Sequence, residues 1–245
     1  MSSIKIKVWD LPLRAFHWLL VFAVLAAYIT AKFGGALTDW HGRIGALALG
    51  LLVFRITWGF VGSTHARFSN FFPTPTRLLA YLKGHWSAHG HNQHGHNPLG
   101  ALSVFALLGV LTALVATGLF ANDDISFQGP LFNLASKSLS DKLTGWHAFS
   151  FNVLLLLVAL HLVAITFYFF FKKTNLIKPM VTGSKEASIE ASKDFTSHTT
   201  GGGKARFVIA TTIAVITVWL VFDGIVVEQL TPAQIIPANT SIPSW

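Results

Sequence analysis

Apolar residues gather into five long runs, at residues 15–31, 44–60, 99–121, 148–171 and 207–221, and polar or charged residues fill the intervals between them. A helix needs about 17 to 25 mainly apolar residues to cross a hydrocarbon core about 30 Å thick. Each run therefore predicts one transmembrane helix, the fifth being the shortest. The second run contains Arg55, about three turns in from Ile44, where a guanidinium near a helix end can snorkel to the interface. The first run follows Lys5, Lys7 and Arg14 as a signal peptide would, but no convincing small-x-small cleavage site precedes Lys32. It is expected to be a retained first helix.

Histidines inside these runs supply the candidate chemistry. His147 and His161 are fourteen residues apart in one apolar stretch. That advance is about 40° short of four full turns, so both imidazoles lie on nearly one face, about 21 Å apart along the axis. His17 and His41 stand at the starts of the first two runs, where each can meet one member of the pair from a different helix. Four histidines at two depths suggest two bis-imidazole metal sites. A histidine beside a tryptophan at a helix end, as in His17-Trp18, Trp40-His41 and Trp146-His147, also fits an interfacial aromatic belt. His161 does not, because an ionisable group deep in an apolar helix is costly without a partner.

Composition narrows what such sites hold. A hydrophobic fraction of 52% against 11% charged marks an integral membrane protein. The absence of cysteine excludes disulfides, iron–sulfur clusters, thiolate-ligated haem and covalent c-type attachment. The only methionines, Met1 and Met180, lie outside the apolar runs. Non-covalent b-type haem held by two histidines remains.

With the N-terminus in the cytoplasm, fourteen of the eighteen basic residues fall on the inner side, and only Lys32, Arg43, Lys137 and Lys142 on the outer. This satisfies the positive-inside rule, so the net charge of +8 is a topology signal and not a sign of nucleic-acid binding. The same topology sets the depths of the histidines. His41 and His147 fall at the outer level, His17 and His161 at the inner one, and these are the expected pairs.

The chain resembles the bacterial cytochrome b561 family, which includes the cytochrome b subunit of membrane-bound nickel–iron hydrogenases. The resemblance spans about residues 6–182 and rests on Val8-Trp9-Asp10-Leu11-Pro12, Arg14-Ala15-Phe16-His17-Trp18 and Trp40-His41-Gly42-Arg43-Ile44-Gly45. Ala66-Arg67-Phe68, Gly95-His96-Asn97-Pro98-Leu99-Gly100, Trp146-His147 and Leu160-His161 complete it. It implies an all-α fold, a four-helix bundle binding two b haems through His17, His41, His147 and His161, here with one additional C-terminal transmembrane helix. The expected organisation is a di-haem domain over 1–182, a cytoplasmic polar linker over 183–205, and the fifth helix with an outer tail over 206–245.

Secondary candidates surround this core. Arg43, two positions after His41, is a candidate for a haem propionate, since guanidinium matches carboxylate geometry. It also reads as a snorkelling interfacial charge. Arg55 has the same two readings on the inner side. His85, His89, His91, His94 and His96 form a cluster able to bind zinc, nickel or copper, although the Gly, Asn and Gln between them indicate a solvated loop that binds such ions incidentally. Asn122-Asp123-Asp124 reads as a capped turn, or as acidic steering for a basic redox partner.

No hydrolytic motif, phosphate loop or H-E-x-x-H is present. The expected function is therefore electron transfer across the bacterial cytoplasmic (inner) membrane, between a quinone and a protein partner such as a periplasmic cytochrome c or a dehydrogenase subunit. Membrane lipid is the remaining partner. A divalent-metal transporter and a membrane anchor for a redox complex are the alternatives. Transport fits poorly, because no acidic residue accompanies the histidines inside the membrane.

Overall fold

The computed structural model describes residues 3–84, 97–125, 127–188 and 202–222. The histidine cluster at 85–96 and the tail after 222 lie outside the described residues. Five helices are long and apolar enough to cross a membrane: α1 (Leu11–Phe33), α2 (Thr38–Val61), α5 (Pro98–Gly118), α6 (Lys137–Phe170) and α8 (Lys204–Phe222). Short helices α3 (Phe68–Phe71), α4 (Pro75–Leu82) and α7 (Ile177–Thr182) fill the connections. Strands β1 (Ser3–Lys7) and β2 (Ser184–Ser188) pair antiparallel, with Lys5 opposite Glu186.

The helix starts follow from local hydrogen bonding. The first backbone N–H groups of a helix need outside acceptors. Asp10 supplies one to α1, its Oδ1 accepting from Leu13 N at 2.8 Å. Its other oxygen, Oδ2, accepts from Trp58 Nε1 at 3.0 Å, tying the start of α1 to the end of α2. Asn97 caps α5 by accepting from Gly100 N at 2.7 Å, and Pro98 follows in the first turn, where its missing N–H costs nothing. Ser136 caps α6, with Leu139 N at 3.3 Å.

α6 starts at Lys137, well before the apolar run that predicted it. Its 34 residues reach about 51 Å, more than a bilayer core requires. The extra turns are polar, braced by Lys137 between Asp124 and Asp141 and by Asn122 donating to Ser140. An apolar-run reading sees only the part that lipid must cover.

α2 is the central helix, flanked by α1, α5 and α8, while α5 pairs with α6. The fifth membrane helix rests on α2 through buried Ala210 and Ala214, with Phe207 edge-on to Phe54 and Trp58 at 5.9 and 6.3 Å. Between the two ends of the bundle, Leu52, Leu111 and Leu154 form a buried layer with Leu20 and Val24 against it.

One end carries the β1–β2 sheet and the other the loop 119–136; we call them the sheet end and the loop end. A lone two-stranded ribbon is marginal in water, and this one is held by burial of Ile6, Val8 and Trp9 against Leu13, Phe16 and Trp58. Val8 N and Trp9 N both donate to Gly183 O, at 2.8 and 3.2 Å. Gly183 itself has φ 82, a left-handed conformation that glycine adopts without strain. The Arg14 guanidinium donates to Val181 O and Trp18 Nε1 to Met180 O at 3.3 Å. The segment expected as a linker without a fold of its own thus opens with a strand. That strand is specified by the distant N-terminus and not by its own residues.

Arg55 is only 2% exposed. Instead of snorkelling to the interface, it donates to Ala66 O at 3.2 Å and lies over the Phe68 ring at 4.6 Å. The same ring presses on Gly59, where a Cβ would fall 2.1 Å from Phe68 Cε2. Gly59→Ala is therefore expected to destabilise the sheet end by about 1–3 kcal/mol, the usual cost of overpacking. Thermal unfolding in detergent would measure it, and a smaller residue in place of Phe68 should restore part of the loss.

Candidate functional site

At the loop end, where α1 and α5 finish and α2 and α6 begin, His41 and His147 face each other. Their ring centroids are 6.1 Å apart and their planes 83° from parallel. His41 donates from Nδ1 to Ala27 O at 2.9 Å, and His147 donates from Nδ1 to Leu114 O at 2.8 Å. A carbonyl can only accept, so Nδ1 carries the proton and each Nε2 keeps the lone pair a metal needs. Such contacts also fix ring orientation and raise ligand basicity.

Two glycines shape this end. Gly118 closes α5 where a Cβ would lie 2.9 Å from Cε1 and 3.0 Å from Nδ1 of His147, so the ring reaches the Leu114 carbonyl only because that side chain is missing. Gly45, one turn after His41, has nothing within 4 Å of where its Cβ would be. The loop folds back over the same region, its Phe127 ring 3.1 Å from a Cβ placed on Gly42.

The sheet end carries His17 on α1 and His161 on α6. His17 Nδ1 is buried and has no hydrogen-bond partner among the described residues. The ring stands edge-on to Trp18 at 5.1 Å, and that indole is anchored to Met180 O. Leu154 lies seven residues from both His147 and His161, placing the leucine layer midway between the two levels.

Arg43 stands two residues after His41 on α2. It is exposed, with its guanidinium 5.1 Å from the Trp40 ring, as an interfacial cation would be. Asp123 behaves as a turn cap, its Oδ1 accepting from Ile125 N at 3.0 Å and Phe127 N at 2.8 Å. Sequence reasoning missed Ala27, Leu114 and Gly118. The first two act through backbone carbonyls, which no residue type signals, and a lone glycine ending an apolar run reads as a helix stop.

These residues fit a bis-histidine haem. A metal about 2 Å from each of two imidazole nitrogens requires ring centroids roughly 6 Å apart, which the loop-end pair meets with the correct nitrogens free. The buried Nδ1 of His17, which has no hydrogen-bond partner among the described residues, points the same way.

Residues 8–183 match the family described as prokaryotic cytochrome b561. The chain belongs to that family. Membership makes it a multi-pass membrane cytochrome of the b type, so b-type haem is the implied cofactor and electron transport the implied chemistry. It is 28% identical to the "Probable Ni/Fe-hydrogenase B-type cytochrome subunit" of Azotobacter vinelandii and 27% identical to the protein of that name from Azotobacter chroococcum mcd 1. Each match covers 58% of this chain and 66% of the relative, so the chain spans just under two thirds of the relatives' length. No solved structure matches significantly.

Proposed function

We propose that this cytochrome binds two b haems, one between His41 and His147 and one between His17 and His161, and carries electrons across the cytoplasmic membrane. The observation that carries the proposal is the His41–His147 ring pair, centroids 6.1 Å apart, and it is supported by His17 on α1 and His161 on α6 lying beyond the buried leucine layer. Haem supplies one-electron iron redox chemistry when bound. The chain holds the ligands, locks the outer imidazoles by Nδ1, and keeps water and ions from crossing at the leucine layer.

The distribution of basic residues supports a cytoplasmic sheet end and an outer loop end. Electrons would then pass between a membrane quinone and a protein partner. The names of the Azotobacter relatives favour a hydrogenase subunit as that partner over a periplasmic cytochrome c or another dehydrogenase. For the metal-transport alternative, a pathway would need clustered ligands, and among the described residues no three or more His, Cys, Asp or Glu side chains come together.

The test is a dithionite-reduced minus oxidised spectrum of the purified protein, with pyridine haemochrome quantitation. Two b-type haems per chain are expected. A folded protein from haem-replete cells carrying none would overturn the proposal.

A further inference from the structure

The two carbonyls that hold the loop-end histidines share a second feature. Thr30 donates from Oγ1 to Ala26 O at 2.8 Å and also reaches Ala27 O at 3.0 Å, the oxygen that receives His41 Nδ1–H. Thr117 repeats this on α5, with Ala113 O at 2.7 Å and Leu114 O at 3.0 Å, the oxygen that receives His147 Nδ1–H. Both threonines lie in the last turn of their helices.

Threonine hydroxyls in helices commonly bond the carbonyl four residues back. Thr57, Thr112, Thr166 and Thr217 do only that among the described residues. Thr30 and Thr117 are distinguished by the additional approach to the carbonyl three back, and in both cases that carbonyl serves a histidine. α1 with α2 and α5 with α6 thus present the same device twice around one centre: threonine, shared carbonyl, histidine.

We infer that Thr30 and Thr117 are positioning residues that set the reduction potential of the loop-end haem, an inference that rests on the di-haem proposal above. A carbonyl oxygen has two lone pairs, and inside a helix it already accepts the N–H four residues on, so the imidazole and the hydroxyl compete for the remaining acceptor capacity and weaken each other's bond. The hydroxyl therefore limits how strongly the carbonyl pulls on the imidazole N–H. A stronger pull makes the imidazole a more basic ligand, which favours the ferric over the ferrous state and lowers the potential. Removing the hydroxyl must then lower it. The sheet-end pair is the internal reference, because among the described residues no carbonyl holds His17 Nδ1.

The experiment is a potentiometric titration of the visible spectrum of the full-length holoprotein, comparing wild type with T30V, T117V, the double variant, T30S and T117S. The loop-end wave is identified as the one lost in His147→Leu. Each valine variant is expected to lower that potential, the double variant most, by up to about tenfold in the reduction equilibrium constant or about 59 mV for one electron. Serine keeps the hydroxyl and is expected to keep the potential, while the sheet-end wave stays in place in every variant.

A loop-end potential that is unmoved or raised by valine overturns the inference. So does an equal shift of both haems, or serine variants that behave like valine. A wild-type protein without haem would remove the di-haem proposal and this inference together, whereas two haems with unmoved potentials would remove this inference alone.

Discussion

Exchanging His161 for leucine is expected to halve the haem content of the purified protein, from two per chain to one, and to leave the loop-end centre in place. The chain has no cysteine, and none of the five membrane helices carries a methionine or a further histidine that could take the vacated position. The loop-end rings are fixed by Ala27 and Leu114, on the far side of the layer of Leu52, Leu111 and Leu154. Their geometry has no contact with His161 to lose. His17→Leu should reproduce the result, and His41→Leu or His147→Leu should remove the other centre. Haemochrome quantitation reads the loss, redox titration shows which wave has gone, and far-UV circular dichroism checks the helices. Full haem content in the His161 variant would sink the pairing.

The features of this chain that lipid dictates are legible in its sequence. A membrane helix must hide every backbone group within itself and expose apolar side chains, so the five apolar runs mark α1, α2, α5, α6 and α8. The two histidine levels were legible for a related reason. In an apolar helix a histidine stands out, and helix rise converts residue number into depth, so Leu154 and the rings on either side of it could be ordered along the bundle from spacing alone.

Features made by polar contacts between distant segments were not legible. The first turns of α6 are polar and depend on Ser136 and on the Lys137–Asp141 pair, which leave no hydrophobic signal. Arg55 reads as a snorkelling charge because its partners, Ala66 and Phe68, reach it only when the chain turns back after Val61. β2 has polar residues typical of a linker, and pairs because Ile6, Val8 and Trp9 anchor β1 beside it. Second contacts to the histidines are hidden most completely, since Ala27 and Leu114 take part through atoms every residue has.

Gly118 lets a side-chain exchange test the packing behind His147 directly. Gly118→Ala puts a Cβ 2.9 Å from His147 Cε1, closer than real contacts allow, and the obstacle is a ring whose Nδ1 is already committed to Leu114 O at 2.8 Å. Either the ring shifts and the hydrogen bond lengthens, or α5 moves away from α6. Overpacking of this kind costs about 1–3 kcal/mol. If it falls on the ligand geometry, loop-end haem binding weakens by roughly five- to 150-fold at tenfold per 1.4 kcal/mol. Gly118→Val adds two methyl groups in the same space and is expected to leave the loop-end haem unbound. Gly109→Ala, on the same helix with nothing within 4 Å of the new Cβ, should keep both haems. Titration of haem into the apo-protein, followed by absorbance, compares the three. If Gly118→Val kept both haems at wild-type affinity, the approach of α5 to His147 would not hold the ring in place, and the carbonyl of Leu114 would lose its part in orienting the ligand.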